Sequence, residues 1–452
     1  ERLPSCSRPI LNPGLRSVVE DRFGRIWDMA AITENDGLMR TADGTPLKQA
    51  LARATRMNKA RAFLLTTPLL AFILVTFILP IGLMLFRSVD TPEVSAAFPK
   101  TLAILKKWDG NDLPSEEAFA SLASEMQELA ADRDTRPMIS RAGTRLNYIQ
   151  SGFRSLMNKT SRGIRRAKEP PYKDAFIKID KRWGEADTWK TIRQAGSPYS
   201  TRAYLNALDL TTSPDGDIVA QPEIKQIYVT LFERTIFVSI GVTIACIALA
   251  YPISYLLATL PSGTSNLLMI FVLLPFWTSL LVRTTSWIVL LQTNGVINDI
   301  LVWIGIVGDE QRIQMIYNMT GTFIAMTHIL LPFMVLPLYS VMKTIPRDHM
   351  RAARSLGANP AIAFGRIYLP QTIPGVGAGS ILVFILAIGY YITPALVGGQ
   401  DGQLISNIIE YHMKKSLNWG LAAALGGILL AGVLALYWLY NRIVGISNMK
   451  LG

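Results

Sequence analysis

The stretch TIFVSIGVTIACIALAYPISYLLATL, residues 235–260, contains no Asp, Glu, Lys or Arg. A helix needs about 20 predominantly apolar residues to cross the hydrocarbon core of a bilayer, and this stretch exceeds that length. A helix in the core of a soluble protein keeps one polar face, and a charge-free run of this length leaves little room for one. The stretch therefore predicts a transmembrane helix.

Further charge-free runs predict an all-α integral membrane protein, in keeping with a charged fraction of 17% against about 25% in soluble domains. These runs are 62–86, 235–282, 313–342, 367–400 and 416–441. They predict six transmembrane helices, at 63–86, 235–260, 266–283, 316–342, 374–396 and 418–441. Apolar character resumes over 284–291, so the third is either a longer tilted helix or a helix followed by an interfacial segment.

The basic residues predict the orientation of these helices, because cytoplasmic loops carry an excess of Lys and Arg. Four of them precede the first helix: Arg53, Arg56, Lys59 and Arg61. The loop after the fourth helix has one acid, Asp348, and five bases: Lys343, Arg347, Arg351, Arg354 and Arg366. Both signals place the basic tail 1–62, the 343–373 loop and both termini in the cytoplasm. The net charge of +12 thus indicates topology, and we predict no nucleic-acid partner, since neither zinc-finger spacing nor aromatic–basic interleaving occurs.

A long polar insert, residues 87–225, separates the first and second helices. Long loops escape the positive-inside bias, so an extracytoplasmic location is expected. Residues 115–131 have the apolar spacing of an amphipathic helix, a second helix is expected over about 140–167, and the insert is predicted to be a small, mostly helical domain. The first helix, 63–86, is longer than a signal-peptide core and is expected to remain as an anchor.

The sequence predicts neither an ATPase site nor a metal site. No GxxxxGK[ST] phosphate loop occurs, so we predict neither ATP hydrolysis nor a cofactor in this chain. His328, His349 and His412 lie far apart and predict no metal site. The predicted first, fourth, fifth and sixth helices contain no ionisable residue except His328, which argues against an ion-coupled carrier.

Arg283 is the one charge inside a long apolar region. It either reaches the interface from a helix end or sets the outer end of a substrate path. Aromatic faces can hold ammonium groups, although Trp and Tyr are equally typical of interfacial belts. The candidate translocation path comprises Trp277, Thr278, Arg283, Trp287, Tyr390 and Tyr391.

The 346–370 segment, PRDHMRAARSLGANPAIAFGRIYLP, predicts two short helices. Pro346 suits the first turn of one helix and Gly357 its end. Asn359 can cap the second, with Pro360 at its first position. On the first helix Met350, Ala353 and Leu356 are expected to share a face, and Ala352 and Ala353 leave space for a partner surface.

This segment resembles the EAA loop of ABC-importer permeases, whose pattern is EAA-x3-G-x9-I-x-LP. Ala352, Ala353, Gly357, Ile367, Leu369 and Pro370 occur at the family's spacing, whereas Arg351 stands where the family usually has Glu. The resemblance implies that this loop couples the permease to its ATPases. The coupling residues are expected to be Arg351, Ala352, Ala353, Leu356, Gly357, Ile367, Leu369 and Pro370.

A second resemblance is to the spermidine/putrescine-type permeases. It rests on LPFWTSLLVRTTSWI at 274–288, Asn294-Gly295, Asn298, and Arg234-Thr235 leading to YPISY at 251–255. It covers about 230–445 and implies a type I importer fold in the bacterial inner membrane. The expected partners are two ATP-binding subunits that hold ATP and Mg, a second and different permease chain, an extracytoplasmic solute-binding protein, and membrane lipid.

The resemblance implies import of a polyamine or a related small polar nitrogenous solute by alternating access. Opine, amino-acid-like and other small solutes stay open, since no carboxylate lies in the predicted helices. An ATPase-independent channel or carrier is an alternative, as is a structural or signalling protein that works through the insert. The insert occupies the loop position where maltose-type permeases carry an extracytoplasmic domain, and it is expected to contact the binding protein.

Overall fold

The computed structural model describes residues 47–166, 169–213 and 216–444, and these are mostly helical. They form two units: one ends at Gly82 and the other runs from Leu83 onward. Most of the tail predicted over 1–62 lies outside the described residues, which begin at residue 47.

The first apolar helix is longer than predicted. Helix α1 (Leu47–Ile73) continues through a π-helical turn, Leu74–Ile78, into α2 (Leu79–Val89). The part apolar enough to cross a membrane is Thr55–Val89, which contains the predicted 63–86.

Three further long helices pack together as a bundle: α11 (Tyr228–Thr259), α15 (Met319–Thr344) and α18 (Leu369–Gly389). Gly379 lets α18 approach α15 closely, because a Cβ at this position would lie 2.5 Å from Met334 Sδ. Small residues at helix interfaces allow such close packing in membranes. The last apolar helix is α21 (Trp419–Val444).

The predicted third span is broken. Helix α12 (Ser262–Leu273) runs into a 3₁₀ turn, Leu274–Trp277, and α13 (Leu280–Leu291) and α14 (Val296–Trp303) follow. The two halves are bent by 97°, so the alternative of a helix followed by a second segment is confirmed and the continuous tilted helix is wrong. Pro275 cannot donate to the helix ladder, and Ser279 Oγ caps the next helix by accepting from Val282 N at 3.2 Å. The five long helices and this bent pair account for the six predicted spans.

The insert is helical around its own core, as predicted. Its helices are α3 (Glu93–Ala97), α4 (Pro99–Leu105), α5 (Glu116–Ala131), α6 (Arg136–Ile149), α7 (Phe153–Gly163), α8 (Tyr172–Ile179), α9 (Ala186–Ala195) and α10 (Arg202–Ala207). The core includes Phe119, Phe176, Trp183 and Trp189, all fully buried, with ring centroids 4.5–5.7 Å apart in tilted and edge-on pairs.

Two details of the insert differ from the prediction. The helix expected over 140–167 is two helices, because the chain turns at Gly152 with φ +96°, a conformation that glycine adopts without a steric penalty. A short antiparallel hairpin, β1 (Leu210–Thr212) and β2 (Ile218–Ala220), was also missed.

The insert and the 346–370 segment contact opposite ends of α11. At its start, the buried Asp209 carboxylate accepts hydrogen bonds from the backbone N–H groups of Ile227, Tyr228 and Val229 at 3.1, 3.1 and 2.8 Å. At its last residue, Thr259 O accepts from Arg347 Nη2 at 2.6 Å. We call these the insert end and the loop end of the bundle.

We expect Asp209→Asn to lower the melting temperature of the purified full chain, because the carboxylate caps three N–H groups at the positive end of a helix dipole. Hydrogen bonds to a charged group contribute about 1.5–3 kcal/mol. The matched control is Asp217→Asn, an exposed acid beside β2, which should leave the melting curve unchanged. Equal melting curves for both variants would contradict the capping role.

Candidate functional site

The 346–370 segment, which we call the coupling segment, begins with the exposed helix α16 (Arg347–Ser355), whose residues are all at least partly accessible. The helix ends as predicted at Gly357, which has φ +90°. Ala358 N donates back to Ala353 O at 3.1 Å, as in a glycine-terminated helix.

The second half of the segment agrees with its predicted cap but is not a separate short helix. Asn359 Oδ1 accepts from Ile362 N at 2.8 Å and Pro360 takes the first helical position. From there α17 (Pro360–Ala363) continues through a π-helical turn, Phe364–Tyr368, into α18, as one apolar helix that ends at Gly389. The helix that contains the fifth predicted span therefore begins at Pro360, upstream of 374, because no residue in the turn stops the helix. Ile367, Leu369 and Pro370 lie on this helix.

Helix α16 has two different faces. Arg347, Met350, Arg351 and Arg354 follow the spacing of one helical face and line a cavity of about 790 Å³ beneath the helix. Away from that cavity, Ala352 is exposed and Leu356 is 89% accessible. The prediction that Met350 shares a face with Leu356 is wrong, since Met350 packs against the buried cluster around Tyr368.

The charges of α16 are held in part within the chain. Arg351 Nη1 pairs with Asp348 Oδ1 at 3.2 Å, and both side chains are highly exposed. An exposed pair of this kind contributes little to stability. Arg351, which stands where the family usually has Glu, is therefore already paired with an acid on its own helix.

The bend of the broken span leads to the second candidate site. Arg283 lies in the first turn of α13, and its Nε and Nη1 atoms are buried without a hydrogen-bond partner among the described residues. Its charge interacts with His328 on α15 and with Tyr390. Trp287 Nε1 donates to His328 Nδ1 at 3.1 Å, with the ring centroids 5.3 Å apart.

Tyr390 and Tyr391 lie at a second break rather than within the fifth span. Helix α18 ends at Gly389 and α19 (Ile392–Val397) begins beyond the two tyrosines. Asn407 Nδ2 donates to Tyr391 O at 2.7 Å, and Thr284 Oγ1 lies 3.4 Å from Thr393 Oγ1, which joins α13 to α19. The helices that follow the two breaks, α13 and α19, therefore lie side by side.

The structure thus places Trp287 in contact with His328, and Arg283 within electrostatic range of His328 and Tyr390. Trp277 and Thr278 stand at the bend itself, where Trp277 is 81% accessible, and Tyr391 has Lys414 Nζ above its ring at 5.8 Å. Sequence reasoning left His328 out of the path. Its signal was available, because it is the one ionisable residue of its predicted span.

A junction between the start of α11 and a later helix was also missed. His412, on α20 (Ile405–Lys414), lies 3.1 Å from Tyr228 Oη through Nε2 and 2.8 Å from Ser416 Oγ through Nδ1. Burial lowers the pKa of His412, which favours the neutral ring at this junction.

Comparisons with known proteins agree with this architecture. Residues 235–444 match the family model described as "Binding-protein-dependent transport system inner membrane component". The chain is 33% identical over 221 residues to the spermidine/putrescine transport system permease protein PotB of Escherichia coli, covering 48% of this chain and 80% of that protein. It is 35% identical over 205 residues to PotB of Haemophilus influenzae, covering 45% and 71%.

Among solved structures, the chain is similar to a bacterial ABC transporter involved in the import of the acidic polysaccharide alginate. The identity is 16% and the TM-score 0.43, over 51% of this chain and 82% of that one. The match to most of the length of PotB, the matching family model and the apolar helices all indicate the same family. This chain belongs to the multi-pass inner-membrane permease subunits of binding-protein-dependent ABC importers, of the spermidine/putrescine type.

Proposed function

We propose that this permease subunit imports a polyamine or a related small polar nitrogenous solute by alternating access. Two partner ATPases, which bind ATP and Mg, would dock on the coupling segments of this chain and of a second, different permease. An extracytoplasmic binding protein would deliver the solute at the insert end. The names of the PotB relatives support the substrate class.

The exposed face of α16 carries this proposal. Ala352 offers almost no bulk, Leu356 projects into solvent, and a Cβ on Gly357 would meet nothing within 4 Å. A small surface beside one apolar knob suits rigid docking into a groove of another subunit. The helix is also tied to the membrane core, because Arg347 binds the last turn of α11 and α17 continues into α18.

The opposite ends of α11 support the orientation. The segment at the loop end carries the excess of basic residues that marks a cytoplasmic loop, and the insert contacts the other end. With ATPases at the loop end in the cytoplasm, the insert lies outside the membrane, where a binding protein can reach it.

The paired breaks support a gate near the insert end. Discontinuous helices form the solute sites of many transporters, because non-helical backbone is tolerated at membrane depth only where protein or a water-filled cavity surrounds it. When docked ATPases move α16, the continuous α17–α18 helix would transmit that movement towards Tyr390. Repacking of α19 against α13 would then open or close the path.

Arg283 favours one alternative within the substrate class. Its side chain is partly accessible, but its buried Nε and Nη1 atoms lack a protein partner in the described part of the chain, and a buried polar atom without a partner is costly. A solute that bears a carboxylate as well as an amine, such as an amino-acid-like or opine compound, could satisfy it.

We expect Ala352→Trp to stop docking of the ATPase subunit, because a large ring would occupy the surface that the partner must approach. Loss of a central interface contact costs about 2 kcal/mol or more, roughly thirtyfold in affinity. The measurement is co-purification of the ATPase with the full permease pair, together with ATP-dependent uptake in reconstituted vesicles.

The matched control is Ala96→Trp, which places the same ring on an exposed alanine of the insert. It should keep the ATPase bound. Undiminished ATPase recovery with Ala352→Trp would argue against docking on α16.

We expect Arg283→Gln to lower the uptake rate of a carboxylate-bearing solute by about tenfold. The reason is the lost hydrogen bond between the guanidinium and the carboxylate, since hydrogen bonds to a charged group contribute about 1.5–3 kcal/mol. ATPase co-purification should not change, because Arg283 belongs to α13 and not to the segment proposed to dock the ATPase. Arg283→Lys keeps the charge and should recover part of the rate. The measurement is uptake of a labelled amino acid, which bears a carboxylate, with uptake of labelled putrescine, which bears none, measured in parallel. Normal amino-acid uptake by Arg283→Gln would exclude this role of Arg283.

A further inference from the structure

The cavity beneath α16 is a feature that the docking function does not use. Its volume is about 790 Å³, and its walls come from the ends of α11 and α15, from α16 itself and from the start of α17. This volume is typical of cavities that hold small molecules, about 300–1,000 Å³. It opens on the side of α16 that faces the bundle, away from Ala352 and Leu356.

The lining is strongly basic. Lys343, Arg347, Arg351 and Arg354 contribute side chains, and no Asp or Glu is among the residues that line it. Two of these charges are engaged, because Arg347 donates to Thr259 O at 2.6 Å and Arg351 pairs with Asp348. Lys343 and Arg354 make no ion pair or side-chain hydrogen bond with any residue in the described ranges. The cavity lining therefore includes two cations without a partner among the described residues.

The floor is aromatic. The rings of Tyr255, Phe364 and Tyr368 form a contiguous group, with Tyr255 5.7 Å from Phe364 and 5.4 Å from Tyr368 between centroids. The α17–α18 helix also carries exposed apolar side chains that do not line the cavity: Ile362, Ile367 and Leu369. A ligand with an anionic end and an apolar body would match both parts.

We propose that this cavity binds the head group of an anionic phospholipid, with the phosphate between Lys343 and Arg354 and the acyl chains along α18. Basic pockets at the cytoplasmic ends of membrane helices recognise such head groups, and guanidinium groups pair well with phosphate. The position of the cavity at the ends of three membrane helices favours a lipid over a soluble phosphate compound. The bound lipid would support α16 from beneath while its other face stays free for the ATPase.

The test is native mass spectrometry of the purified full chain in detergent, titrated with phosphatidylglycerol or with phosphatidylcholine of the same acyl chains. We expect phosphatidylglycerol to bind about tenfold more tightly, given the contribution of each basic residue near an anionic lipid. The double variant Lys343→Gln/Arg354→Gln should lose this preference. The single variants should each lose part of it, which keeps the test valid if the double variant fails to fold.

The matched control is Arg366→Gln/Arg442→Gln, which removes two exposed charges at the loop end that do not line the cavity. It should keep the preference for phosphatidylglycerol. Equal binding of both lipids to the unmodified chain, or an equal loss in the control, would overturn the proposal. Displacement of the lipid by millimolar inorganic phosphate would assign the cavity to a soluble anion instead. The experiment needs no ATPase, so its outcome is independent of the docking proposal.

Discussion

Hydrocarbon offers no hydrogen bonds, so every backbone N–H and C=O within the membrane must find its partner inside the protein. This constraint explains both the long uninterrupted helices and the way in which the interruptions are stabilised. At the first break Ser279 Oγ accepts from Val282 N, and at the second Asn407 Nδ2 donates to Tyr391 O. Side chains replace the missing helix bonds at both places, and the breaks gather Arg283, Trp287 and His328 on neighbouring helices.

The junction between insert and bundle uses the same chemistry at a helix end. Asp209 satisfies three N–H groups at the start of α11, where the first N–H groups of a helix have no partner within it and the dipole favours a negative charge. The insert is therefore attached to the helix that runs to Thr259 and Arg347 at the far end. The insert and the coupling segment therefore both contact the same helix, α11, at its two ends.

Helix α16 combines two surfaces in nine residues. Its basic face lies over a cavity, and its small apolar face is open to solvent. Arg351, which stands where the family usually has an acid, belongs to the basic face, pairs with Asp348 and has a highly exposed side chain. The proposed docking and the proposed lipid binding would therefore use different sides of the helix.

The sequence alone determined the six apolar spans, the helical insert, the stop at Gly357 and the cap at Asn359, because length, apolar runs, caps and glycine are local properties. The sequence did not reveal that α17 continues into α18. Asn359 and Pro360 mark where a helix begins, but they do not determine where it ends. The partnership of Trp287 with His328, the cap by Asp209 and the separation of Met350 from Leu356 were decided only by the tertiary structure. Those contacts join residues distant in the chain or depend on which side of a helix meets the bundle, and no local pattern encodes either.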